Sequence, residues 1–139
     1  MTYGSGEVHG RISQFYARQM RLLDEGAVEE WADTFTEDAV FEEPSLPEPL
    51  KGRPVLVEAA RRRVGALAAQ GRVRRHWLGM LEVSEGAEPG VLHTRYYALA
   101  LSTAAGEGVP SFHSSTVAED ILEADGEAFL VRHRSVRND

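Results

Sequence analysis

From Val8 to Leu23 the apolar residues Ile12, Phe15, Tyr16, Met20 and Leu23 recur at i, i+3, i+4, i+8 and i+11, the period of an amphipathic helix. Asp24-Glu-Gly26 ends that stripe, and Gly26 suits a left-handed helix cap. A second, shorter helix is predicted from Val28 to Phe35, with Trp31 and Phe35 four apart on its buried face. Thr36-Glu-Asp38 reads as a turn into a short strand, Ala39–Glu43. Pro44-Ser-Leu-Pro-Glu-Pro49 holds three prolines, which remove amide donors and bar regular structure, so an extended loop follows. Gly52-Arg-Pro54 restarts a helix with proline in its first turn, running to about Ala69. Everything after it alternates like strand, at 73–84, 90–103, 109–123 and 128–137, separated by glycine-bearing turns of the kind hairpins require.

Helices first and long strands last indicate an α+β fold, with the helices packed on one face of an antiparallel sheet. A strongly curved sheet wrapped around the N-terminal helices makes a cone with an apolar cavity, the usual form of a ligand site. Residues 1–7 are expected to be a flexible tail and residues 8–139 a single domain, in keeping with a chain of 139 residues and 42% hydrophobic content.

A net charge of −7 argues against nucleic-acid binding, which needs a basic footprint. The arginines at 61–63, 72, 74 and 75 read as a solvated helix face and its surroundings, paired with the acidic remainder. The sequence has no cysteine, so thiolate and disulfide chemistry are excluded. Its five histidines show no HxH or HExxH spacing, and no metal is expected. The opening residues lack the basic and apolar stretches of a secretion signal, and no apolar run is long enough for a membrane span. The expectation is a soluble, cytoplasmic protein with neither nucleic-acid nor membrane partners.

His76 stands out against this background. Alternation places it on one face of its strand with Leu78 and Met80, and an imidazole there needs a hydrogen-bonding partner or a chemical task. Glu43 falls on the face of Phe41, and a carboxylate entering an apolar cavity becomes a usable acid or base near neutral pH. In the second long strand His93, Arg95, Tyr97 and Leu99 share one face, and Thr94, Tyr96 and Ala98 the other. In the third, Phe112, Ser114 and Thr116 share one face and His113 takes the other, which reads as the convex side. Trp77 points away from His76, as an aromatic at a dimer interface does.

Three passages, Phe15-Tyr-Ala-Arg-Gln-Met-Arg-Leu-Leu-Asp-Glu-Gly26 leading to Glu30-Trp31, Arg75-His-Trp-Leu-Gly79, and Phe129-Leu-Val-Arg-His-Arg-Ser-Val-Arg-Asn-Asp139, occur in an order and spacing that resemble the nuclear transport factor 2-like superfamily. The resemblance covers about residues 8–138 and is greatest to the scytalone dehydratase, SnoaL-like cyclase and ring-hydroxylating dioxygenase β-subunit branches. It implies that Asp24 hydrogen-bonds His76 as an acid/base dyad. It also implies that the odd set of the second long strand faces the cavity, bringing Tyr97 and Arg95 near His76. Departures from the dehydratase pattern stand at Leu23, Glu43, Leu101 and Thr116, which argue against scytalone as substrate.

The site expected from residues and resemblance together has His76, Asp24 and Glu43 as catalytic groups, with Tyr16, Tyr97, Arg95, Thr116, Phe41 and Met80 around the substrate. The implied activity is that of a cofactor-free cyclase, dehydratase, isomerase or epoxide-opening enzyme acting on an apolar or aromatic polyketide-like metabolite, as a homodimer. The alternative is a non-catalytic dioxygenase β-like subunit or a small-molecule-binding protein of the same fold.

Overall fold

The computed structural model describes residues 6–139; the tail expected at the N-terminus lies outside the described residues up to position 5, whereas Gly6 and Glu7 already belong to the first helix. That helix, α1 (Gly6–Asp24), buries Val8, Ile12, Tyr16 and Gln19 along one stripe. It closes on Gly26, whose φ of 81° allows the amides of Gly26 and Ala27 to reach back to the carbonyls of Leu23 and Leu22. A Cβ there would press on Val64 Cγ1 at 3.3 Å, so packing as well as backbone conformation calls for glycine.

The second helix, α2 (Val28–Ala32), is shorter than its apolar spacing predicts. Thr34 returns its hydroxyl to the Trp31 carbonyl at 2.5 Å and receives Gln19 Nε2 at 2.7 Å, which favours a turn over another helical residue. Trp31 and Phe35 still meet, ring centroids 4.8 Å apart, but across a helix-to-strand junction. Strand β1 (Phe35–Glu42) therefore begins four residues earlier than expected. A two-residue strand, β2 (Leu50–Lys51), pairs with it after the proline loop, and α3 (Arg53–Ala69) follows as predicted.

Four long strands complete the chain: β3 (Arg72–Glu85), β4 (Val91–Ala104), β5 (Pro110–Asp125) and β6 (Ala128–Asn138). The sheet runs β2-β1-β6-β5-β4-β3, and β1 lies parallel to β6, so the sheet is mixed and only the four long strands form the antiparallel meander expected. The helices cover one face of it. Among the four long strands, irregularities in pairing fall at Gly79–Glu82 in β3, at His113 in β5 and at Arg132 in β6. Each inserts a residue, bends its strand and exchanges which parity points inward.

The bulge at Arg132 brings Arg134 onto the inner face, opposite Asp120. Asp120 accepts hydrogen bonds from Arg134 Nε and Nη2 at 3.0 and 2.8 Å, from Tyr16 Oη at 2.7 Å and from Tyr96 Oη at 3.1 Å. Arg134 Nη2 also donates to Gln19 Oε1 at 2.6 Å, and its guanidinium lies 5.3–5.9 Å from the ring centroids of Phe35, Tyr16 and Tyr96. One fully desolvated ion pair thus ties α1, β1, β4, β5 and β6 together. Burial opposes the Arg134 charge, but the Asp120 carboxylate with its hydrogen bond and the Tyr96 and Tyr16 phenols together outweigh it and hold the guanidinium above its ordinary pKa. Burial, and then Asp120, push the Tyr16 phenol well above its usual range, and burial does the same to Tyr96.

Removing one partner of such a pair strands the other, at a cost of about 3–5 kcal/mol. Arg134→Met is expected to lower the urea-unfolding free energy by that amount, whereas Arg95→Met, at the exposed Arg95–Glu119 bridge, changes it by less than about 1 kcal/mol.

Candidate functional site

Inside the cone the sheet is floored by small side chains. Ala98 and Ala100 of β4 and Ser114, Thr116 and Ala118 of β5 leave the space that larger residues would fill, and a half-open cavity of about 610 Å³ lies above them. Trp31, Phe41, Tyr96 and Val136 give it apolar walls, while Glu43, Arg63, Arg74, His76 and His113 supply the polar ones. That volume suits a bicyclic or tricyclic organic molecule.

Strand β3 is the edge of the sheet, and the His76 amide turns to Asp24 instead of to a neighbouring strand, with N–H to Oδ2 at 3.0 Å. Asp24 Oδ1 lies 2.6 Å from His76 Nδ1. The same carboxylate, at the last residue of α1, thus fixes both the backbone and the ring. A carboxylate accepts only, so Nδ1 carries the proton it donates and Nε2 presents its lone pair. Nε2 has no hydrogen-bond partner among the described residues, and the ring forms part of the cavity wall. Asp24 stands behind the ring, lining smaller clefts on the far side.

Glu43, at the end of β1, faces the cavity and accepts hydrogen bonds from Arg63 Nη2 at 3.2 Å and from the Ser45 hydroxyl. Phe41 and Thr116 also line the cavity, Thr116 spending its hydroxyl on the Ala98 carbonyl at 3.0 Å. Tyr16 belongs to the buried core: its hydroxyl is shared between Asp120 and Thr94, and its ring edges the cleft between α1 and β3.

Three further expected residues lie elsewhere. His76 pairs with Ala100 and Trp77 with Leu99, so directly opposed residues put the even set of β4 inside, where Thr94 and Tyr96 are buried. Tyr97, 57% exposed, and Arg95, bridged to Glu119, consequently point outward. Met80 is the residue displaced by the β3 bulge, with φ of 54° and 76% exposure, and Leu81 takes the inward position instead. None of the three reaches the His76 cavity.

His113 and the arginines were the groups that strand alternation did not reveal. The pairing runs Ala100 to Ser114 and then Leu101 to Phe112, leaving His113 as the extra residue. It joins Ser114 on the cavity side, contrary to the convex placement expected, while Phe112 turns outward. Burial, and then Arg74, Arg63 and His76, lower the His113 pKa, and Glu43 opposes them weakly. Arg74, two residues before His76 on the same face, is itself lowered by burial and by Arg63, and its Nε is buried without a partner among the described residues.

Residues 7–135 match the family described as the SnoaL-like domain. The chain belongs to the SnoaL-like domain family. No curated protein matches it in sequence. Among solved structures it is similar to Aln2 from a Streptomyces species, at 29% identity over 99% of this chain and 95% of that one, with a TM-score of 0.88. ActVI-ORFA from Streptomyces coelicolor is similar at 26% identity over 97% of each chain, TM-score 0.87. A protein from Catenulispora acidiphila, solved in complex with S-DNPA, is similar at 30% identity over 97% of this chain and 96% of that one, TM-score 0.80. The fold expected from the resemblance, the nuclear transport factor 2-like or cystatin-like one, is the fold this SnoaL-like domain has.

Proposed function

We propose that this SnoaL-like domain is a cofactor-free enzyme that moves a proton on an aromatic, polyketide-like ketone, as a dehydratase, cyclase or isomerase does. The observation that carries the proposal is the 2.6 Å contact of Asp24 with His76 Nδ1, at the wall of a metabolite-sized cavity, with Nε2 unengaged. Similarity to Aln2 and ActVI-ORFA, and to a relative that holds a small molecule, supports an organic metabolite as occupant.

In this mechanism Nε2 takes the proton from the carbon beside a substrate carbonyl. The imidazolium that forms is stabilised by Asp24, and the C–H electron pair becomes an enolate. Collapse of the enolate expels a β-hydroxyl, which leaves as water with the proton that His76 returns to it. For isomerisation the same proton goes back to a different carbon. Glu43, ion-paired with Arg63, accepts a hydrogen bond from a substrate hydroxyl and is the complementary acid or base of the site. Phe41, Thr116 and the alanines of β4 hold the rings.

We propose in addition that two copies of the chain associate through the outer face of the sheet. Trp77 is 66% exposed and stands beside Met80, Tyr97 and Leu99 around a shallow groove. Arg95 and Glu119 sit on the same face with opposite charges, so a two-fold arrangement can exchange those bridges between copies.

General acid/base groups contribute about 10²–10⁴-fold in rate. His76→Gln is expected to lower kcat/KM for loss of water from a bicyclic aromatic β-hydroxy ketone, followed by absorbance, by a factor in that range with circular dichroism unchanged. Undiminished turnover would refute the mechanism and favour a binding protein. For the assembly, sedimentation velocity is expected to show a dimer for the wild type and a monomer for Trp77→Asp; a monomeric wild type at tens of micromolar contradicts it.

A further inference from the structure

The mechanism leaves an enolate oxygen to be stabilised, and Tyr97 and Arg95, expected around the substrate from the sequence, face away from the cavity. The bulge in β5 puts a different group there. His113 lies on the cavity side through its extra-residue position, and it is carried by a different strand from His76, with β4 between them. A substrate lying over Ala98 and Ala100 therefore has His76 on its β3 side and His113 on its β5 side.

We propose that His113 is the oxyanion donor of this site: its ring N–H hydrogen-bonds the substrate carbonyl oxygen as negative charge develops there, while His76 removes the proton. The inference rests on the ketone chemistry proposed above and names the group that holds the oxygen.

The two imidazoles sit in different surroundings. His76 has the Asp24 carboxylate on its Nδ1, which leaves Nε2 toward the substrate. His113 lines the cavity as a solvent-exposed residue, and the limited desolvation it has, then Arg74 of β3, Arg63 of α3 and His76 of β3, lower its pKa, with Glu43, the residue after β1, as the opposing carboxylate. That direction favours the neutral imidazole, whose ring N–H gives a hydrogen bond without a competing proton transfer. The positive field of Arg74 and Arg63 adds to the stabilisation of the enolate oxygen.

The test uses stable binding probes and no turnover. 2-Naphthol presents a hydroxyl oxygen where an enol would, and 2-methylnaphthalene has the same shape without it. The wild type is expected to prefer the naphthol by about five- to tenfold in Kd, the scale of one hydrogen bond. His113→Phe is expected to abolish the preference while retaining the hydrocarbon, and His113→Gln, which keeps an N–H donor, to restore most of it. An equal effect on both probes, an undiminished preference in His113→Phe, or no binding of either probe to the wild type overturns the assignment. Failure of the proton-transfer mechanism shows instead as normal turnover by His76→Gln, a measurement that does not involve the naphthols.

Discussion

The buried pair of Arg134 and Asp120 is the interaction on which the rest of this structure depends. Taking both charges out of water costs several kcal/mol per ion, and the cost is offset only if every polar atom finds a partner. Here the carboxylate gathers four hydrogen bonds and the guanidinium is enclosed by three aromatic rings. Satisfying them requires α1, β1, β4, β5 and β6 to be in one register at once. The pair lies at the base of the cavity, where Arg134 and Tyr96 form part of the wall.

Above that base the cavity exists because the strand centres carry alanine, serine and threonine. Asp24 holds one imidazole from behind through Nδ1, while desolvation and then arginines act on the other. The placement of His76 follows from the double hold of Asp24, which binds the strand amide as well as the ring. The same contact joins helix to sheet, so the brace and the orientation of the imidazole come from one carboxylate.

Much of this was legible in the sequence. Helical periodicity gave α1 and α3 nearly to the residue, glycine-bearing turns separated the four long strands, and the resemblance paired Asp24 with His76 across 52 positions. What sequence could not supply was the parity of the strands. Alternation assumes an unbroken pleat, and inserted residues at Met80, His113 and Arg132 each reverse it. Met80 was expected beside His76 for that reason, and His113 outside. Tyr97 and Arg95 were misplaced by register: whether the odd or even set of β4 faces inward depends on which residue opposes His76, and that residue is Ala100. The Arg134–Asp120 pair gave no local signal, because a charge in an alternating strand reads as solvent-facing until its partner is known.

Whether His76 moves protons is tested most directly by exchange of the C1 protons of 2-tetralone, a bicyclic ketone that fits the cavity. The exchange is followed by ¹H NMR in D₂O with wild type and His76→Gln. The wild-type protein is expected to accelerate exchange at that carbon well above the buffer rate, and the variant is not. Equal exchange rates with and without the imidazole would contradict the proton-transfer role, and would leave the Asp24–His76 contact as a brace alone.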